Sequence, residues 1–214
     1  MTHSGRAVAW PLALAVGWGI CAGAGAQPQG YQLDPTHSFV TFEVLHFGTS
    51  TLRGRFGPLQ GQVSLDRAAR SARVQVTIDT AAVSTGVPVL DARLRQADLL
   101  ASAAHPQAWF VAERFDFDER GGIAAARGEL TLRGRSAPLT LQAERFGCYL
   151  SPLLRRQVCG GDFTAELLRS EWGMSCGLPF VGDVVRLRVQ VEAIAQDAAP
   201  AADAPAPAAS PATR

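Results

Sequence analysis

Val185-Arg186-Leu187-Arg188-Val189-Gln190-Val191-Glu192-Ala193 alternates apolar and polar residues without a slip. Successive side chains of a strand point to opposite faces. The alternation therefore puts all five apolar residues on one side and the charged and amide groups on the other. Such a strand has one face in a core and one in water. Val74, Val76 and Ile78 repeat the pattern between Arg73, Gln75, Thr77 and Asp79. Val40, Phe42, Val44 and His46 share one parity, with Thr41 and Glu43 between them. Further strands are expected at 55–65, 107–117, 123–133, 138–146 and 162–170, about eight in all.

The links between these runs are short. Asp66-Arg67-Ala68-Ala69-Arg70, Glu119-Arg120-Gly121-Gly122 and Arg133-Gly134-Arg135 are turn-like, and short links favour antiparallel neighbours. One stretch departs from the pattern. Val89 to Ala101 carries Leu90, Leu94, Ala97 and Leu100 at helical spacing, with Pro88 before it and Pro106 after it. It reads as a short amphipathic helix. The fold class is therefore all-β, with eight antiparallel strands and one short helix. Eight strands can close as a barrel, which removes exposed edges, or pack as a two-sheet sandwich. Periodicity does not separate the two.

The two ends of the chain read differently from its middle. Residues 1–26 carry Arg6, an apolar run from Ala7 to Ile20, and small residues ending in Ala24-Gly25-Ala26. This is the pattern of a cleavable secretory signal, with the cut expected before Gln27. The run falls short of the roughly 20 apolar residues of a membrane span. Lipid attachment at Cys21 is disfavoured by the bulky Trp18 and Ile20 before it. Residues 197–214 are rich in Ala and Pro and hold no large apolar side chain, so they read as a disordered tail. Residues 27–196 are left as one domain, long enough for a sizeable core. The net charge is +1 and every basic residue is arginine. With no basic stripe, nucleic acid is not an expected partner.

Three cysteines follow the signal: Cys148, Cys159 and Cys176. Export permits disulfides. Cys148 and Cys159 flank a segment with Ser151-Pro152 and Arg155-Arg156, read as a loop between two strands. The pair is expected to bridge it, leaving Cys176 unpaired. No Cys-x-x-Cys or histidine cluster points to a metal. The chain also lacks a Gly-x-Ser-x-Gly elbow, a His-Glu-x-x-His pair, a phosphate loop and a dinucleotide fingerprint. No catalytic residue, cofactor or metal is expected.

By parity the interior should hold Phe42, Val44, Val63, Ile78, Phe115, Leu130 and Leu132. Leu139, Leu141, Phe163, Leu167 and the valines of 185–193 should join them. A small barrel is either filled by such side chains or holds one ligand. His46 continues the inward line of Phe42 and Val44. It reads as a bonded core histidine or as a polar group at a cavity mouth.

Several motifs in order resemble the YceI-like family. They are Leu33-Asp34-Pro35-Thr36-His37-Ser38-Phe39-Val40-Thr41-Phe42, His46-Phe47-Gly48 and Leu52-Arg53-Gly54-Arg55-Phe56. Leu90-Asp91-Ala92-Arg93-Leu94-Arg95, His105-Pro106 and Gly128-Glu129-Leu130-Thr131-Leu132-Arg133-Gly134 follow. Arg169-Ser170-Glu171-Trp172-Gly173-Met174 and Val189-Gln190-Val191-Glu192-Ala193 complete the set. The resemblance spans about residues 31–195. It implies a lipocalin-like antiparallel barrel in the periplasm that holds a long isoprenoid or similar amphipathic lipid, with no established catalytic centre. The expected ligand contacts are Phe42, Val44, His46, Phe56, Val63, Ile78, Leu94, Phe115, Leu130, Leu132, Leu139, Leu141, Phe163 and Trp172. His37, His46, Ser84, Arg93 and Arg95 are the expected head-group contacts. A carrier of this kind leaves room for transient membrane contact and for a homodimer. The rival expectation is a non-catalytic module with a solid barrel that partners a membrane protein. The sequence departs from the family at Asp98-Leu99-Leu100, where aromatic residues are common, and in the Cys148–Cys159 segment.

Overall fold

The computed structural model describes residues 28–197. The expected signal segment, with Cys21, and the tail beyond Asp197 lie outside the described residues. Ten strands form one antiparallel sheet. They are β1 Gln29–Leu33, β2 Phe39–His46, β3 Ser50–Phe56, β4 Gln60–Asp66 and β5 Ser71–Asp79, then β6 Gln107–Phe117, β7 Ile123–Leu132, β8 Arg135–Leu150, β9 Gln157–Leu168 and β10 Val181–Ala195. The order is β1-β4-β5-β6-β7-β8-β9-β10-β2-β3, and β1 also pairs with β10, which closes the ring. On one edge of β10, β2 pairs along 181–190 and β1 along 193–195. β1 and β2 thus fill one strand position in two pieces, and β3 and β4 fill the next. Ten strands occupy eight positions, and the barrel reading holds over the sandwich.

Both interruptions follow from the sequence. Pro35 and Pro58 have no N–H to give to a ladder. The strand expected at 55–65 is the end of β3, a break at Gly57-Pro58, and then β4. The breaks lie side by side, because the Leu59 N–H donates to the Ser38 carbonyl at 3.0 Å. Ser38 also faces β10. Its hydroxyl donates to the Glu192 carbonyl at 3.1 Å and accepts from the Glu192 N–H at 3.2 Å. Just before it, Asp34 accepts from the Thr36 N–H and hydroxyl, and its other oxygen meets His37 Nδ1 at 2.7 Å. That turn passes the chain from β1 to β2.

The two ends of the barrel differ. The turn end carries the tight turns after β4, β6 and β8, together with the start of β1 and the end of β10. The helix end carries the β2–β3 hairpin, residues 80–106, the β7–β8 turn and residues 169–180. Helix α1 spans Pro88–Leu94, shorter than the expected 89–101. Beyond it the chain turns back, with Leu100 N–H bonded to the Leu94 carbonyl and Ala101 at φ 51°. The reversal buries Leu100 instead of letting it ride a solvated helix. Phe42 covers the hairpin partner Gly54, where an added Cβ would come within 2.4 Å of its ring. Buried Arg169 clamps the 174–182 loop by donating to the carbonyls of Met174, Cys176, Val181 and Gly182.

Cys148 and Cys159 are bonded, as expected, but not across a loop. They face each other as a ladder pair of β8 and β9, 4.0 Å apart at Cα. The strands continue past them to Leu150 and Gln157, so the connection is only residues 151–156. Cys176 is unpaired and exposed.

Three outcomes are expected. Replacing both bridged cysteines by serine lowers stability by about 2–3 kcal/mol. At this domain size that is a fall of about 4–12 °C in Tm, read by thermal unfolding. Arg169→Met leaves four buried or half-buried carbonyls without their donor and costs roughly 3 kcal/mol or more in denaturant unfolding. The Asp34 carboxylate raises the His37 pKa above its ordinary 6.5. The pair therefore adds stability below that value and loses it as pH rises through the raised one. NMR titration places the His37 midpoint above 6.5, and Asp34→Asn brings it back.

Candidate functional site

The barrel interior is not filled evenly. A cavity of about 120 Å³ runs from mid-barrel toward the turn end, with a wall that is apolar almost throughout. Every strand position contributes. Examples are Leu33 from β1, Val63 from β4, Val74 from β5, Phe110 from β6, Leu130 from β7, Leu141 from β8, Phe163 from β9 and Val189 from β10. Strand alternation accounts for this, because each strand turns one side chain in two to the inside.

Toward the helix end the interior is solid. Phe42, Val44, Val83, Leu100, Trp172 and Met174 are all buried in one contiguous core there, with Phe56, Leu94 and Leu132 packed against it. Trp172 is only 2% exposed, and its indole N–H has no partner among the described residues. The cavity is therefore blind on this side.

The expected contacts divide accordingly. Val63, Ile78, Phe115, Leu130, Leu139, Leu141 and Phe163 line the cavity. Phe42, Val44, Phe56, Leu94, Leu132 and Trp172 belong to the plug, outside the lining. None of the expected head-group residues faces the cavity. His46 has the inward parity but lies at the end of β2, beyond the closed part of the barrel. It is exposed, edge-on to Phe47. His37 is exposed and held by Asp34. Ser84 is exposed, and its main chain pairs with Arg55. Arg93 forms a two-pronged bond with Asp98 at 2.6 and 2.7 Å and also meets Cys176 Sγ at 3.1 Å. Arg95 donates to the carbonyls of Ala81 and Val83. Both arginines hold the 80–106 segment to itself and to its neighbours.

The lining also includes residues outside the expected contacts. Tyr31 is one, and it brings the only hydroxyl to the wall. That hydroxyl donates to Gln157 Oε1 at 2.6 Å, on the turn-end side of the cavity. Burial pushes the Tyr31 phenol up, and the nearby Arg67 guanidinium partly offsets this. The signal for Tyr31 was the short alternation Tyr31-Gln32-Leu33 just before Asp34-Pro35. Phe110 and Phe146 are others, and both sit next to a ladder irregularity. Among the described residues no group of His, Cys, Asp and Glu is arranged to hold a metal ion.

The sequence profile of the YceI-like domain matches residues 31–193. A UPF0312 protein of Pseudomonas aeruginosa (strain LESB58) is 32% identical over 187 residues, 86% of this chain and 96% of the relative. Protein YceI of Escherichia coli O157:H7 is 31% identical over 169 residues, covering 78% and 87% of the two chains. Among solved structures, a polyisoprenoid binding domain from Saccharophagus degradans superposes with a TM-score of 0.54 at 18% identity, covering 78% of this chain and 99% of that one. The closed eight-position barrel and its one short helix are thus the fold of a known family, and this chain belongs to the YceI-like family.

Proposed function

We propose that the protein is a periplasmic carrier that holds an isoprenoid or other long-chain amphipathic lipid in the barrel. The observation that carries this reading is the cavity wall, where the Tyr31 hydroxyl is the one polar side-chain group among apolar neighbours. Such a wall offers nothing to a polar solute and favours alkyl or isoprenoid carbon. Each methylene taken out of water contributes about 0.8 kcal/mol. Micromolar binding needs about 8 kcal/mol net, so more than about ten methylenes must be buried once ordering costs are met. The name of the Saccharophagus degradans domain adds support by analogy of fold. Export is supported by the signal-like residues 1–26, and the Cys148–Cys159 bridge fits an oxidising compartment.

The void is smaller than the ~300–1,000 Å³ of a typical ligand site. A long chain must therefore widen it, and partly exposed lining side chains such as Phe115 and Phe146, toward the turn end, have room to give way. The same small void favours the rival reading of a solid module that binds a membrane protein, and one experiment separates the two. Protein exported from a bacterial host is extracted with organic solvent and analysed by mass spectrometry. It is then titrated with a long-chain polyprenol, beside a Val63→Phe/Val74→Phe variant. Co-purified lipid and micromolar binding, weakened at least about tenfold in the filled variant, are expected. An empty protein that ignores the polyprenol, or a filled variant that binds it equally well, would remove the carrier reading.

A further inference from the structure

The β8–β9 connection projects apolar side chains into solvent. Leu153 is 89% exposed and Leu150 73%, and Leu154 and Tyr149 are about half exposed. Exposed leucines grouped on one turn mark an interaction site more often than scattered ones do. Two arginines follow directly, Arg155 and Arg156, and residues 149–158 contain no acid. Arg156 pairs with Asp197 at 2.6 Å, while Arg155 makes no ion pair among the described residues. The turn holds its own shape. Ser151 N–H donates to the Arg156 carbonyl, Arg155 N–H to the Ser151 carbonyl, and Leu154 N–H to the Ser151 hydroxyl. The disulfide ties its base one rung below Tyr149 and Val158.

Its position is as informative as its composition. The tip stands at the turn end, the end toward which the cavity runs. Phe146 and Cys159 line the cavity, and Leu150 has the inward parity of Phe146 and Cys148. Apolar surface therefore continues from the cavity wall out to the tip.

We propose that this hairpin tip docks the protein on an anionic lipid bilayer, with Leu150, Leu153 and Leu154 entering the acyl boundary and Arg155 meeting the headgroups. A membrane is the occupant that fits. Three leucines on a narrow turn fall far short of the ~800 Å² per partner of a standard protein interface. Shallow insertion of a few large apolar side chains beside cations is the physics of interfacial anchors. The neighbouring turns are balanced in charge, with Arg67, Arg70 and Arg120 against Asp66, Asp118 and Glu119, so the cation left unpaired beside the leucines, among the described residues, is Arg155 of the tip itself. The proposal extends the carrier reading but does not need it, since docking can be read without any cargo.

The test is vesicle flotation of the processed full-length protein, purified after export, with phosphatidylethanolamine/phosphatidylglycerol vesicles and with pure phosphatidylcholine vesicles. The expected result is flotation on the anionic vesicles, at least fivefold weaker on phosphatidylcholine. Leu153→Glu/Leu154→Glu should lower the bound fraction at least fivefold, and Arg155→Glu should lower it and flatten its salt dependence. Phe180→Glu, at the opposite end and 62% exposed, should leave it unchanged. These sites are exposed, so unaltered Tm and polyprenol binding of the variants show that fold and cavity are intact. Flotation with no polyprenol binding would remove the carrier reading and leave docking standing. No flotation, equal loss in Phe180→Glu, or no loss in the leucine pair overturns docking. So does a dimer seen by light scattering that the leucine pair abolishes without any vesicle binding, which makes the tip a chain–chain contact.

Discussion

A closed sheet must find a partner for every main-chain group around its ring, and this barrel meets that demand along β10. One edge of β10 is covered by β9, and the other by β2 and β1 in succession. The seam between β2 and β1 is where the ring would leak, because Pro35 interrupts the chain there. Ser38 closes it. A single buried hydroxyl gives to and takes from the Glu192 main chain, standing in for the missing strand residue. Its own carbonyl takes the Leu59 N–H across the second interruption. The seam sealed in this way leaves no gap between β2 and β1, and the interior beside it is shielded along its length. The apolar cavity depends on that seal, because an unpaired N–H or carbonyl in the wall would bring water with it.

Arginine does the polar work at the helix end. Arg169 donates to four carbonyls of one loop, and Arg133 binds the carbonyls of Ala97, Leu99 and Gly173. Arg95 holds Ala81 and Val83. The planar guanidinium fork reaches several acceptors at once. Loops without regular ladders thereby stay packed over Trp172 and its neighbours. The outer wall of the barrel uses arginine differently, in exposed pairs such as Arg186 with Glu166 and Arg127 with Asp116. Pairs of that kind add little to stability but keep the outer face wetted and single-purpose.

The strand set was largely legible, because an unbroken alternation such as 185–193 admits one reading. It failed where the ladder slips. Counting back from Phe115 in steps of two points to Trp109 and Val111, yet those two are partly exposed and Phe110 is buried, because β6 bulges between Ala112 and Arg114. Counting forward from Leu139 reaches Arg145, yet Phe146 faces the cavity, because β8 bulges at the same kind of step. A bulge adds one residue and exchanges the two faces beyond it, and no local composition announces it. The site was less legible than the fold. Periodicity names inward residues but not which of them touch one another, so plug and cavity could not be told apart. The head-group expectation went to His46, Ser84, Arg93 and Arg95 at the helix end, where the structure closes the interior, and to His37, which is exposed in the β1–β2 turn. Tyr31 lay in a five-residue strand, too short for its alternation to stand out.

A cavity stopped at one end is a pouch, not a tunnel. Whatever enters it must back out along the same path, and nothing can push it from behind. Release is then governed by the occupant's own escape, and its rate does not quicken as rival molecules accumulate outside. For a carrier of the proposed kind, the Trp172 plug would set one direction of exchange and make residence time a property of the barrel's depth and grip.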